Sequence, residues 1–322
     1  MLRTAFTRLV GCEVPIQLAP MGLLNTPRLV GAVTGAGGMG MIAMPRAPAR
    51  AVVDALDACA AQARGPFGFN VLVPFLDLEV LDAAAARCRC VDFYHGAVDP
   101  ALVERVHAAG ALAAWQVCAA DQARAAADAG CDLLIVRGAE GGGRMYGSRG
   151  LWPLLSEVLS AVDVPVLATG GIADGRGLAA ALAGVAAGVR LGTRFVATPE
   201  SGAHQSYKDA IVAESETVLT DAFRTGWPDE VTRSRVLRRC YERAAAAPED
   251  AVVARMSIGP DTVEVPRFGV PAPAATASGD VAAMAMYAGE SAALITGIEP
   301  ADRIVTRIAR QAEELLRSAA PG

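Results

Sequence analysis

Residues 164–196, VPVLATGGIADGRGLAAALAGVAAGVRLGTRFV, decide the fold. The apolar run Val164–Ala168 predicts a strand that stops at Gly170 and Gly171. Asp174 then stands where an N-cap belongs, ahead of an Ala/Leu helical pattern over Gly177–Ala183. A second run, Val189–Leu191, predicts a strand that ends at Gly192 and Thr193. Strand, glycine corner, helix, strand and glycine corner follow one another, as in consecutive β/α units of a parallel sheet. Glycine has no Cβ, so two such corners at the carboxyl ends of neighbouring strands let backbone N–H groups converge on an anion. In an eight-fold barrel, the loops after strands seven and eight commonly hold phosphate. Tight turns with nothing bound are the plain alternative. Small residues at the same end of both strands favour the anion site.

The same rhythm extends back to the amino terminus. Pro15–Gly22 reads as a first strand and its loop, and Thr26-Pro27 as a helix start with Thr as cap. Further strands are predicted at Met39–Ala43, Phe67–Val71, Val91–His95, Ala111–Gln116 and Leu133–Val136. With Val166–Thr169 and Val189–Leu191 they make eight, alternating with Ala-rich helices such as Asp121–Ala129. The fold class is therefore α/β, a (β/α)8 TIM barrel. Gly35-Ala36-Gly37-Gly38-Met39-Gly40 has the G-x-G-x-x-G spacing of a dinucleotide site, but it follows a helix and opens a strand. That order is reversed from the dinucleotide fingerprint, so the glycines read as a helix stop.

Residues 200–280 break the rhythm with charged, helix-prone stretches (Tyr207–Leu219, Asp229–Ala247) and a loop, Pro266–Gly279. They are expected to form a helical insertion after strand eight that covers the barrel mouth. Residues 1–199 and 281–322 would form the barrel, closed by helices over Val281–Thr296 and Pro300–Ser318.

Hydrophobic residues make up 53% of the 322 and aromatics only 5%, so the core is built mainly from Ala, Val and Leu. The net charge of −5 and scattered basic residues argue against a nucleic-acid partner. No apolar run reaches the roughly 18 residues of a membrane span, and residues 1–12 lack a secretory pattern. Seven cysteines without a CxxC pair suit reduced thiols and a cytoplasmic location.

Barrel chemistry sits at the carboxyl ends of strands. Those positions hold Pro20, Met21, Asn70, Tyr94, His95, Gln116, Arg137–Arg144, Gly170, Gly171, Gly192 and Thr193. They include no metal-ligand cluster and no nucleophile elbow. A phosphate cradle beside amides, with few acids, suits a phosphorylated cofactor that brings its own chemistry.

The blocks APMGLLNTPRLVGAVTGAGGMGMI, GFNVLVP, AGCDLLIVRGAEGGG and PVLATGGIADGRGLAAALAGVAAGVRLGTRFVATPES closely resemble the nitronate monooxygenase family, the 2-nitropropane dioxygenases. FMN-dependent enoyl-ACP reductases share most of them, and HQSYKDAI and MYAGESAALI extend the likeness over nearly the whole chain. The resemblance implies FMN as cofactor. Gly170, Gly171, Gly192 and Thr193 would hold its phosphate, and Pro20, Met21 and Asn70 would line its ring. Gln116 and Arg137 would lie at the pyrimidine edge, while Gly142 and Gly143 would let the backbone approach.

One departure bears on the chemistry. Where the family block reads like G-x-E-x-G-G-H, with His as the expected base, this chain has Gly138-Ala139-Glu140-Gly141-Gly142-Gly143-Arg144. Arginine keeps its proton near neutrality (pKa about 12.5 or above), so it cannot be the base. Arg144 can instead bind a nitronate or carboxylate, or it can pair internally with Glu140 or an insert carboxylate. Arg137, where related sequences often have Gln, would stabilise an anionic reduced flavin or form a surface salt bridge. Tyr94 and His95 are adjacent, so only one is expected to face the mouth, where either can act as a replacement acid or base.

The resemblance thus implies oxidation of a small anionic substrate with O2 as redox partner. The alternative is an NAD(P)H-dependent flavin reductase or dehydrogenase acting on an acyl thioester, like the enoyl-ACP reductases. A flavin-binding scaffold without turnover is a third reading, and a homodimer is compatible with all three.

Overall fold

The computed structural model describes residues 2–225, 227, 233–259 and 261–319. After α1 (Ala5–Val10), the chain runs β1 (Ile16–Leu18), α2 (Pro27–Gly35), β2 (Gly40–Ala43), α3 (Ala49–Gln62) and β3 (Phe67–Leu72). It continues through α4 (Leu78–Ala85), β4 (Cys90–Tyr94), α5 (Pro100–Ala108), β5 (Leu112–Val117), α6 (Ala120–Asp128) and β6 (Leu133–Arg137). A short strand β7 (Gly143–Met145) and α7 (Leu151–Leu159) precede β8 (Val166–Thr169), α8 (Gly175–Ala183), β9 (Gly188–Leu191) and α9 (Thr193–Val196).

Eight of these strands form one parallel sheet in the order β1-β9-β8-β6-β5-β4-β3-β2. Its ends meet, since Leu18 N donates to Met39 O and Met39 N to Ile16 O, both at 2.9 Å. The result is a (β/α)8 barrel, and each sequence-predicted strand falls on one of its staves. These strands are buried on both faces, one against the lumen and one against the helices, and so read as continuous apolar runs.

Local signals place the helices. Thr26 caps α2 by accepting from Leu29 N at 3.0 Å, and Asp174 caps α8 by accepting from Gly177 N at 3.0 Å. The glycine run after α2 is a helix stop, as its order implied. Gly37 there has φ +85°, and its N–H bonds Thr34 O.

The segment after α9 departs from the helical expectation. It holds α10 (Gln205–Ala213), β10 (Thr217–Thr220), β11 (Arg233–Leu237), α11 (Arg238–Ala246), β12 (Val252–Ile258), β13 (Asp261–Pro266) and β14 (Ser278–Gly279). The insertion is therefore mixed α/β. β-Branched residues at Thr217, Val218, Thr220, Val252 and Val253 favour pleated backbone over the helix that the charge pattern suggested. Of the expected helix over Asp229–Ala247, residues 229–232 lie outside the described residues. Val281–Thr296 likewise forms two short 3-10 turns, Val281–Ala283 and Glu290–Leu294, where a closing helix was expected. The last helix, α12 (Ala301–Ala319), packs on α8 and α2, and its Gln311 side chain accepts from Gly175 N at 3.0 Å.

Two sheets outside the barrel shape the mouth. β10, β11 and β7 form one, with Ser234 of β11 opposite Arg144 of β7. β13, β12 and β14 form the other. A second apolar cluster, including Tyr207, Phe223, Val236, Met256 and Met284, binds the insertion to the segment that leads into α12. Among the described residues no helix is long and apolar enough to cross a membrane.

Candidate functional site at the barrel mouth

The glycine corners lie at the carboxyl ends of β8 and β9. Gly170 and Gly171 have φ +113° and +70°, which only glycine adopts without strain. A Cβ on Gly192 would sit 3.3 Å from Ala19 Cβ and 3.7 Å from Met21 Sδ, so the loop after β1 abuts this corner. Among the described residues, neither Gly171 nor Gly192 donates its backbone N–H to a protein acceptor. Two open donors at neighbouring strand ends fit a phosphate. The Thr193 hydroxyl accepts from Gly289 N at 2.9 Å and can still donate outward.

Gly142 has a different requirement. A Cβ there would lie 2.5 Å from Gly289 N and 2.6 Å from Ala288 C, so this glycine is needed for backbone packing within the protein. Gly143, with φ +80°, turns the chain into β7. The loop is pinned further by Arg235, which donates to Ala139 O at 3.0 and 2.9 Å and pairs with Glu290 at 3.2 Å.

Aromatic rings and two arginines fill the mouth. Tyr94 ends β4, and its buried hydroxyl donates to Arg144 O at 3.4 Å, with Cys118 Sγ at 3.8 Å. Burial pushes its pKa well up, outweighing the opposite pull of Arg137. His95 has φ +63°, a left-handed conformation that breaks strand alternation. For that reason Tyr94 and His95 both join the cluster, contrary to the expectation that only one would; their ring centroids are 3.7 Å apart. The His95 ring also meets Tyr146 at 4.8 Å and Trp227 at 5.5 Å. Its Nδ1 has no hydrogen-bond partner among the described residues. Burial first, and then the charges of Arg137 and Arg144, hold the His95 pKa well below the usual range, so the ring is neutral near pH 7.

Arg137 folds over its own loop, donating to Gly142 O, with its guanidinium 5.5 Å from the Tyr94 centroid. Arg144 is 7% exposed. It donates through Nη2 to Phe223 O and stacks 4.2 Å over Trp227, both contributed by the insertion. Burial lowers its pKa, against a raising contribution from Tyr287. The internal pairing with Glu140 does not form, because Glu140 caps α7 by accepting from Leu151 N at 2.9 and 3.0 Å. Among the described residues Arg144 makes no ion pair, and its Nη1 has no hydrogen-bond partner.

Below the mouth lies a polar layer of which the sequence-derived candidates included only Gln116. Arg190 of β9 pairs with Asp92 of β4 at 2.6 Å and donates to Gln17 Oε1 at 2.7 Å and Gln116 Oε1 at 3.2 Å. Asn70 donates to Asp92 O at 3.3 Å, so the amides of Asn70 and Gln116 both touch this layer. Its signal was legible: Gln17, Asp92 and Arg190 interrupt three otherwise apolar strands. A cavity of about 360 Å³ opens beside Asn70 between the loops after β2 and β3, lined by Met44, Arg46 and Phe75 among others. A larger groove, about 920 Å³, lies by the amino ends of β8 and β9, away from the strand ends that carry this chemistry. Among the described residues no group of three or more His, Cys, Asp or Glu is placed to hold a metal ion.

The sequence profile of the nitronate monooxygenase family matches residues 3–89 and 75–311. A (3aS,4S,5R,7aS)-5-hydroxy-7a-methyl-1-oxo-octahydro-1H-indene-4-carboxyl-CoA dehydrogenase of Rhodococcus jostii (strain RHA1) is 39% identical over 216 residues, which is 66% of this chain and 60% of that relative. FabK from Thermotoga maritima superposes with a TM-score of 0.80 at 29% identity, covering 99% of this chain and 98% of that one. A nitroalkane oxidase from Streptomyces ansochromogenes superposes with a TM-score of 0.79 at 28% identity, covering 98% and 100%.

Proposed function

The chain belongs to the nitronate monooxygenase family, and from that premise we propose that it is an FMN-dependent oxidoreductase that oxidises a small anionic substrate with O2. The buried Arg144 carries this reading: among the described residues it makes no ion pair and its Nη1 has no hydrogen-bond partner, and it lies near a neutral histidine. Burying a guanidinium without a counter-charge is costly, and an anionic ligand offsets that cost. Pro20, Met21, Asn70, Gln116 and Arg137 would line the flavin ring, and the corners at Gly170, Gly171, Gly192 and Thr193 would hold its phosphate. Gly142 and Gly143 would serve the site by placing Arg144. When bound, FMN would supply the electron-transfer chemistry, taking electrons from the substrate and yielding them to O2.

The remaining work falls to side chains. Arg144 would bind and orient the anion, and the clustered rings of Tyr94, His95 and Tyr146, tilted or edge-on to one another, would exclude water. His95 can accept a hydrogen bond at Nδ1, but its depressed pKa makes it a weak base. A substrate that arrives deprotonated, such as a nitronate, therefore suits the site better than a neutral nitroalkane. Purified holoprotein mixed anaerobically with ethylnitronate should lose its yellow colour and regain it in air. A colourless preparation that refuses FMN would overturn the cofactor, and a yellow one inert to nitronates would overturn the substrate.

A second reading rests on the name of the Rhodococcus relative, a carboxyl-CoA dehydrogenase. In that reading Arg144 would face a thioester or carboxyl oxygen, and NAD(P)H or an acyl-CoA would reduce the flavin. Bleaching by NADH, NADPH or an acyl-CoA under the same anaerobic conditions, without bleaching by nitronate, would select it.

A further inference from the structure

The Arg190 layer fixes a property of the site that the cofactor reading leaves open. β9 and β4 stand four staves apart in a ring of eight, so Arg190 spans the lumen to reach Asp92, and both side chains are almost wholly buried. A guanidinium has five donors and no acceptor. The Gln116 atom that faces it at 3.2 Å must therefore be the amide oxygen. Turning the amide over would set N–H against N–H in a buried place. Gln17 is held in the same sense, with Oε1 on Arg190 Nε at 2.7 Å and Nε2 near the sulfurs of Met39 and Met41, at 3.3 and 3.6 Å. Among the described residues, Gln116 Nε2 finds no protein acceptor, and Gln116 keeps 9% exposure near the carboxyl end of its strand.

We propose that Arg190, locked by Asp92, is a positioning residue that makes Gln116 an obligate hydrogen-bond donor toward the flavin. The inference rests on the FMN reading. A donor held against a flavin acceptor favours the reduced, more electron-rich form, so the lock raises the reduction potential of the bound cofactor.

The test is the midpoint potential of bound FMN, measured by dye equilibration on the holoprotein. Arg190→Lys keeps the charge and can still pair with Asp92, but its three donors leave one shorter-reaching point and do not replace the separate Nε, Nη1 and Nη2 contacts to Gln17, Gln116 and Asp92. FMN should remain bound, with reduction about tenfold less favourable, about 30 mV lower for a two-electron couple. Gln116→Leu should give the same shift, and adding Arg190→Lys to it should give no more. Gln116→Glu keeps a partner for Arg190 and removes the donor, so it tests the idea even if Arg190→Lys does not fold; its potential should also fall. Unchanged potentials in Arg190→Lys and Gln116→Glu, or shifts that simply add in the double variant, would overturn the inference while leaving the cofactor reading intact. A wild-type protein that takes up no FMN would overturn both.

Discussion

Replacing Asp92 with Leu removes one half of the ion pair that crosses the barrel lumen. Asp92 is 0% and Arg190 2% exposed, and their charged atoms are 2.6 Å apart. Leu has the branched outline of Asp and is somewhat larger, so no cavity opens and the stranded guanidinium dominates. Breaking a buried pair from one side typically costs about 3–5 kcal/mol. An unfolding entropy of about 2.1 cal/mol/K per residue gives about 0.7 kcal/mol/K for this chain of 322 residues. The midpoint of thermal unfolding should therefore fall by about 4–7 °C. Adding Arg190→Met removes the stranded charge but leaves the Gln17 and Gln116 carbonyls without a donor, at about 1–3 kcal/mol. The double variant should thus be at least as stable as Asp92→Leu, and Arg190→Met should cost less in that background than in the wild type. Scanning calorimetry on the four proteins completes the cycle. A loss below about 1 kcal/mol for Asp92→Leu, or additive single effects, would show that the pair is not coupled and refute the reasoning.

Arg144→Met should weaken ethylnitronate binding by about tenfold to a hundredfold, the worth of one charge-assisted hydrogen bond, while FMN stays bound; spectral titration reads both. Gly142→Ala should cost about 1–3 kcal/mol, because the backbone it meets at Ala288 and Gly289 cannot step aside; differential scanning fluorimetry checks it. His95 takes up its proton more readily unfolded than folded, so its neutral burial costs nothing above about pH 6.5 and destabilises increasingly below it. The wild type should lose up to about 1.4 kcal/mol per pH unit below about pH 6.5, and His95→Gln should lose less over the same range. Equal slopes in melts from pH 7.5 to 5.5 would contradict this.

The barrel was legible because its strands are buried on both faces and its helices carry their own caps, as at Thr26 and Asp174. The insertion was not. Ser234 and Val236 of β11 alternate over only a few residues, and the strand is stabilised by partners distant in sequence. β7, reading Gly-Arg-Met, has no strand signal of its own and becomes a strand only because β11 pairs with it. Arg144 stood out from its motif, and the insertion was expected over the mouth, yet nothing in the sequence marked Phe223 and Trp227 as the residues that hold it. The left-handed backbone at His95 was equally hidden, since nothing local marks a histidine for it. Gln17, Asp92 and Arg190 were visible as polar interruptions in apolar strands. They lie within their strands and point into the lumen, below the carboxyl ends where barrel chemistry is expected.

The pairing of β7 with β11 has a consequence for the order in which competence arises. Most staves pair with the stave next in sequence and the ring closes where β1 meets β9, whereas Arg144 reaches its place at the mouth only after the insertion has folded back across the rim. If the FMN reading holds, a nick in the insertion should therefore leave a folded barrel that still retains added FMN and no longer binds ethylnitronate. By the same token, exchanging that segment between relatives would retune what is recognised without rebuilding the machinery underneath.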